Sequence, residues 1–193
     1  MGLVAFIDPA RPETLDAIKF CKNSGIKVYM ITGDHPLTAF SIGKTLGIAV
    51  SKNEIITGKE LDEIMKKGNK EFDAVIKNVR ICARVTPTQK LAIVESLKRQ
   101  GEFVAVTGDG INDTLALKQA NIGIAVGSGS DIAKEASDMI ITDDKFSSIV
   151  TGVKEGRMAY SNIRNVILEI GVCYNSFTCN MCSPLNRNCT WNT

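Results

Sequence analysis

Three strand-like segments of this chain end at or within three residues of a carboxylate, with stretches of helical periodicity between them. Leu3 to Ile7 ends at Asp8. Ile26 to Ile31 ends at Thr32-Gly33-Asp34, and Phe103 to Val106 ends at Thr107-Gly108-Asp109-Gly110. Of these, Leu3 to Ile7 is a continuous apolar run, as a buried strand is. Pro12 opens a helix carrying Leu15, Ile18 and Cys21 and closed by Gly25. Pro36 opens another, with Leu37, Phe40, Ile42 and Leu46, closed by Gly47. Proline at the first helical turn and glycine just past the last follow helix-end chemistry. Thr86-Pro87 starts a third helix with Leu91, Val94 and Leu97, and Gly101 ends it.

Farther on, a helix over about 112–119, an apolar strand at Ile122 to Val126, a helix at Ile132 to Ala136 and a strand at Met139 to Ile141 continue the alternation. Residues 48–80 are more polar, with a helix around Lys59 to Lys67 and a short strand at Arg80 to Ala83. The expected fold is therefore α/β: a three-layer, Rossmann-like parallel sheet with helices on both faces. Ligands of such sheets bind outside the carboxyl ends of the strands. That is where Asp8, Thr32-Gly33-Asp34 and Thr107-Gly108-Asp109 fall.

Composition narrows the function classes. The 193 residues carry a formal charge of +2 and 6% aromatics. This argues against nucleic acid as a partner, since no basic excess or stacking platform is present. No run of about 18 apolar residues spans a bilayer, and the first residues lack the basic start of a secretory signal. Cys21 and Cys82 sit within regular segments, as expected in a reducing compartment. Cys173, Cys179, Cys182 and Cys189 crowd the end, where a truncated or altered terminus without function and a four-thiolate zinc site are both open readings.

The chemistry concentrates in Thr107-Gly108-Asp109-Gly110-Ile111-Asn112-Asp113. Two glycines let backbone approach a ligand, and two carboxylates four residues apart suit magnesium, which keeps water and phosphate oxygens as its other ligands. A tight turn with Asp113 at a helix start would read the same way. Thr32-Gly33-Asp34 offers a hydroxyl and backbone donors to a phosphoryl group, or a plain capped turn. Lys90 stands where the helix dipole prefers an acid. Aimed at a phosphate it would neutralise charge; otherwise it is a solvated lysine.

In order and spacing, several motifs resemble P-type cation-transporting ATPases. They are Asp8-Pro9-Ala10-Arg11, Thr32-Gly33-Asp34-His35-Pro36, Ala83-Arg84-Val85-Thr86-Pro87-Thr88-Gln89-Lys90 and the segment 107–113. Asp131 to Asp138 and Gly156-Arg157 with Tyr160 and Asn162-Ile163-Arg164 extend the match to about residue 168. The resemblance implies the haloacid-dehalogenase-like phosphorylation domain of a type II pump, working with magnesium and ATP. It implies Asp109 and Asp113 as magnesium ligands, Lys90 against the phosphorylated carboxylate, and Thr32 and Gly33 on the phosphoryl group. Asp8, Arg11, Asp34, Arg84 and Asn112 would position ATP or hold the domains closed. The parent protein would sit in a membrane with this domain on the cytoplasmic side, and the remaining pump domains would be its partners. The chain alone would be soluble.

The sequence departs from the family in four ways. No Asp-Lys-Thr-Gly-Thr segment, which supplies the phosphorylated aspartate, occurs in these 193 residues. The expected sheet therefore lacks the nucleophile strand. This leaves neighbouring edges open, and the isolated chain is expected to be inactive in autophosphorylation and marginally stable or oligomeric. Ala10 replaces a proline, and Thr114-Leu115 replaces a small residue and proline. Residues 1–168 are expected to form a partial phosphorylation domain, with 169–193 a divergent, irregular tail. Two alternatives remain at this point: a stand-alone phosphatase with Asp8 as nucleophile, or a non-catalytic regulatory remnant.

Overall fold

A computed structural model describes residues 11–181, of which 169–181 are described by backbone alone. Asp8 and the segment 3–7 lie outside the described residues, as do Cys182 and Cys189. The chain divides into two compact units, Met1–Val150 and Thr151–Thr193.

The first unit opens with α1 (Pro12–Asn23), β1 (Met30–Thr32) and α2 (Pro36–Thr45). Pro12 and Pro36 sit in the first turns, and Gly25 and Gly47, at φ 74° and 71°, close the ends as the sequence predicts. β1 is shorter than the predicted 26–31. Ile26 still closes α1 by donating to the Cys21 carbonyl, and the ladder begins only where Met30 donates to the Arg80 carbonyl.

Next come β2 (Ile55–Thr57), α3 (Gly58–Met65), α4 (Asn69–Asn78) and β3 (Ile81–Ala83). Two of these, β2 and α4, occupy the stretch whose polarity suggested irregular chain. α4 is held by a narrow stripe, Phe72 and Ile76, four residues apart and 2% and 1% exposed. α5 (Pro87–Arg99), β4 (Ala105–Gly108), α6 (Thr114–Gln119), β5 (Ile122–Val126), α7 (Asp131–Glu135) and β6 (Met139–Ile141) complete the unit, with the first turn of α8 (Phe146–Met181). α3 and α5 start on capping boxes in which Thr57 with Glu60, and Thr86 with Gln89, satisfy each other's backbone donors.

All strand pairs are parallel and form two sheets, ordered β1-β3-β2 and β4-β5-β6. Side chains alternate between faces as strand geometry requires. Ile31, Ile56, Cys82, Val104 and Val106 join a core with Phe72 and Ile76 of α4 and Ile93, Val94 and Leu97 of α5. Met30, Ile55, Ile81 and Ala83 point the other way, into a core with Ile18 of α1 and Ala39, Phe40 and Ile42 of α2. One helix layer thus covers residues of both sheets, and a second layer covers the opposite face of the first sheet.

From Thr151 onward, the second unit is described as the continuation of α8. Met158, Tyr160, Ile163 and Leu168 are exposed there. The backbone stays helical to Met181, where the sequence suggested irregular chain from 169. No proline interrupts 146–181, so each added residue extends a helix already nucleated. No described helix is long and apolar enough to cross a membrane.

Candidate functional site

β1 delivers Thr32 at its carboxyl end. The Thr32 hydroxyl donates to Asp34 Oδ2 (2.9 Å), and the Asp34 amide donates back to Thr32 Oγ1 (3.1 Å). This local ring holds Gly33 in an exposed turn, with nothing within 4 Å of where a Cβ would stand. β3, beside β1, ends at Arg84, which is held at φ 53°. A left-handed conformation at a non-glycine residue costs about 1–3 kcal/mol. Here the next amide, from Val85, donates to the Thr32 carbonyl (3.2 Å). The strained turn therefore ties the end of β3 to the end of β1 and leaves the Arg84 side chain in solvent.

β4 delivers Gly108 and Asp109. Asp109 is exposed, while Asp113, in the following turn, is 9% exposed. Lys90, in the first turn of α5, places its ammonium 2.5 Å from Asp113 Oδ1, with side-chain exposures of 19% and 13%. The pair joins the helix that follows the first sheet to the turn that follows β4. The sequence placed Lys90 against a phosphorylated carboxylate; the structure places it on Asp113. A Cβ on Gly108 would lie 2.5 Å from the Asp113 Cβ, so only glycine lets this carboxylate fold back onto the strand.

One contributor escaped the sequence reading. After β5, Gly129 packs with its missing Cβ 2.9 Å from the Asp109 carbonyl, and the Ser130 amide donates to that carbonyl (2.8 Å). The same loop is held from its far side, where the Ser128 amide donates to Asp144 Oδ1 (3.1 Å). The bond with Ser128 holds the Asp144 carboxyl below the usual carboxylate range, with Arg11 adding a smaller effect. The alternation Gly127-Ser128-Gly129-Ser130 was the available signal, since paired glycines after a strand mark close backbone approach.

Thr32, Gly33, Asp34 and Arg84 thus stand at the carboxyl ends of β1 and β3, while Asp109 and Asp113 follow β4, where Lys90 of α5 reaches Asp113. Asn112 is exposed in the turn beside Asp113, and Arg11 stands apart from them near Asp144. Among the described residues no three His, Cys, Asp or Glu side chains form a metal cluster. Two carboxylates following one strand still suit magnesium, which completes its shell with water and phosphate oxygens. The space that Gly108 leaves for Asp113 fits that donor set. A cavity of about 340 Å³ lined by Lys22, Lys27, Val28, Glu54 and Arg80 lies at the opposite, amino ends of β1, β2 and β3, away from this chemistry.

A family model described as haloacid dehalogenase-like hydrolase matches residues 1–121. Calcium-transporting ATPase 1 of Bacillus cereus is 49% identical over 90% of this chain and 19% of its own length. Sodium/potassium-transporting ATPase subunit alpha-A of Artemia franciscana is 43% identical over 86% of this chain and 19% of its own. The chain therefore spans about a fifth of these relatives. A solved catalytic domain of the CPx-ATPase CopB-B shares the fold with a TM-score of 0.56 and 26% identity, over 75% of this chain and 45% of that one. With its parallel sheets, its helices on both sides and its acids at strand ends, the chain belongs to the haloacid dehalogenase-like hydrolases.

Proposed function

We propose that these residues form part of the phosphorylation domain of an ATP-driven cation pump of the calcium- or sodium/potassium-transporting kind, with 1–168 contributing the domain. The observation that carries this reading is the Lys90–Asp113 ion pair in the turn that follows β4 and Asp109. Phosphoryl transfer needs mainly positioning and charge neutralisation, and a lysine with two carboxylates supplies both.

In this reading Asp109 and Asp113 would hold magnesium, which would neutralise developing charge on the transferred phosphoryl group. Thr32 and Gly33 present a hydroxyl and backbone donors to the phosphoryl oxygens. Lys90, paired with Asp113, would neutralise charge on the phosphoryl oxygens. Asp34, Arg84 and Asn112, exposed around the site, orient ATP, and Arg11 and Asp8 support the closed arrangement of domains. The carboxylate that accepts the phosphoryl group in autophosphorylation belongs to a pump segment outside these 193 residues. The domain works on the cytoplasmic side of the parent protein's membrane.

Titration with magnesium, and then with magnesium and ATP, followed by amide chemical shifts, tests this. Shifts are expected at 107–113 with magnesium and at 32–34 with nucleotide. Asp109→Asn should weaken magnesium at least about tenfold, equivalent to about 1.4 kcal/mol. Unmoved amides at 107–113 in saturating magnesium would sink the reading.

A further inference from the structure

A second gathering of charge lies at the other end of the first sheet. The cavity of about 340 Å³ at the amino ends of β1, β2 and β3 has an apolar wall of Ile26, Val28, Ile48 and Val50. Lys22, Lys27 and Arg80 also line it, against a single acid, Glu54.

Two of these three cations are not neutralised by the fold. Lys27 is paired with Glu102. Glu54 is committed to its own turn, where its Oε1 accepts from the Val50 and Ser51 amides at 3.3 and 3.1 Å. Lys22 donates to the Gly47 carbonyl. Arg80 donates to the Lys77 and Val79 carbonyls (3.0 and 2.8 Å) and to the Tyr29 hydroxyl (3.1 Å). All of these acceptors are neutral. Among the described residues, no carboxylate stands within ion-pair distance of Lys22 or Arg80.

Arg80 is more than a solvated surface charge. It is half-buried, and its guanidinium carbon lies 5.0 Å from the centre of the Tyr29 ring. All three of its bonds leave from Nη1. The edge formed by Nε and Nη2 donates to nothing among the described residues. That edge presents two parallel N–H groups that match the two oxygens of a carboxylate. A guanidinium already fixed by the fold loses little freedom when it binds. Lys22 spends one of its three N–H donors on Gly47 and keeps two.

Size and lining narrow the ligand further. The volume is at the lower end for small-molecule pockets. The apolar wall accepts hydrocarbon. A polyphosphate would bring more negative charge than two free cations balance, and would press it against that wall at a cost in desolvation. We propose that this cavity binds a small organic acid, with its carboxylate on Arg80 and Lys22 and its apolar body against Ile26, Val28, Ile48 and Val50. The lining comes from the end of α1, the chain after α2 and the lead-ins to β1, β2 and β3, so one ligand clamps the amino end of the first sheet. No residue of the Thr32 and Asp109 turns takes part, and this inference and the pump reading can fail separately.

Titration of the full chain with phenylacetate, followed by amide chemical shifts, tests it. Saturable shifts are expected at 25–28, 48–50 and 80, with 32–34 and 107–113 unmoved. Phenylacetamide has the same body without the charge, and is expected to bind at least about tenfold more weakly, as loss of a charged hydrogen bond implies. Arg80→Lys keeps the charge and loses the fork; it should weaken phenylacetate about tenfold and leave phenylacetamide unchanged. Lys22→Gln, on an exposed side chain, covers the case in which Arg80→Lys disturbs the fold, and should also weaken the acid alone. Unmoved amides at 25–28 in millimolar phenylacetate, equal affinity for acid and amide, or undiminished binding of the acid to either folded variant would each overturn the proposal.

Discussion

The two sheets of the first unit are built to different standards. In the first, β3 is sealed: Ile81, Cys82 and Ala83 are 0%, 1% and 0% exposed, because helices cover both faces. In the second, the middle strand is sealed too, with Ile124 and Ala125 at 3% and 0%, but the outer strands are open: Ala105 and Thr107 of β4 are exposed, as are Met139 and Ile140 of β6. Yet Asp109 follows β4 directly, and Asp113 stands in the turn after it. Burial belongs to the middle strands and chemistry to the ends of the outer ones. A close-packed strand cannot offer a carboxylate to a hydrated ion, since desolvating the charge costs more than packing returns. The first sheet contributes only the turn at its rim, Thr32 to Asp34, and the strained Arg84.

Stability should follow this division. Ile81→Ala opens a cavity where no neighbour has room to move, and is expected to cost about 2–5 kcal/mol. Ile140→Ala, on a strand half open to solvent at 48% exposure, should cost less than about 1 kcal/mol. Urea unfolding of both variants gives the contrast. Similar losses would show that β6 is packed as tightly as β3.

Cys82 sharpens the same point by reactivity. Burial pushes its thiol from near 9 up to about 12. The thiolate is the reactive form, so at pH 8 alkylation should be about a thousandfold slower in the folded chain than in urea, following the three-unit difference. The linkage has a definite sign. The folded pKa is raised, so this contribution to stability is complete below pH 9 and is lost as pH rises toward 12. Rapid labelling of Cys82 in the folded chain would break the picture of a sealed sheet.

The sequence reveals the site more readily than the scaffold, for a physical reason. Asp109, Asp113 and Thr32 follow strands whose apolar runs end abruptly, so position and chemistry are written in adjacent residues. The placement of Lys90 on Asp113 depends on how α5 crosses from one sheet to the other, over 23 residues of separation, and local pattern carries no such information. α4 was missed although Phe72 and Ile76 mark it, because the polar residues around them dilute a two-residue stripe. The division into two sheets follows from strands pairing out of sequence order, β1 with β3 rather than β2. The Ser130 contact to Asp109 was hidden in a glycine-serine loop that reads as a plain connection.

Gly108 tests whether the second sheet is as tolerant as its exposure suggests. An added methyl group would stand 2.5 Å from the Asp113 Cβ, which is backbone-proximal and cannot swing away. Gly108→Ala should cost about 1–3 kcal/mol as an overpacked site does, and should weaken magnesium by displacing Asp113. Gly33→Ala, with open space around it, should leave stability within about 0.5 kcal/mol. If the two alanines cost the same, the fit of Gly108 to Asp113 has no role in holding the carboxylate.

The smallest effect is expected where α4 meets α5 beneath the first sheet. Arg99 reaches Asp73 with two bonds, Nη2 to Oδ1 at 2.7 Å and Nε to Oδ2 at 3.2 Å. The guanidinium holds the Asp73 carboxyl below the ordinary range. Its contribution to stability is therefore present at neutral pH and is lost as pH falls through that lowered value. Both side chains keep contact with solvent, at 37% and 23% exposure, so screening limits the pair to about 0.2–1 kcal/mol. Asp73→Asn should lose about that much at pH 7, and its urea midpoint should converge on that of the parent chain as the pH drops below the carboxylate range. A difference that persists in acid would mean that Asp73 acts through its hydrogen bonds alone. The α4–α5 seam would then depend on geometry rather than charge, as the sealed sheet above it does.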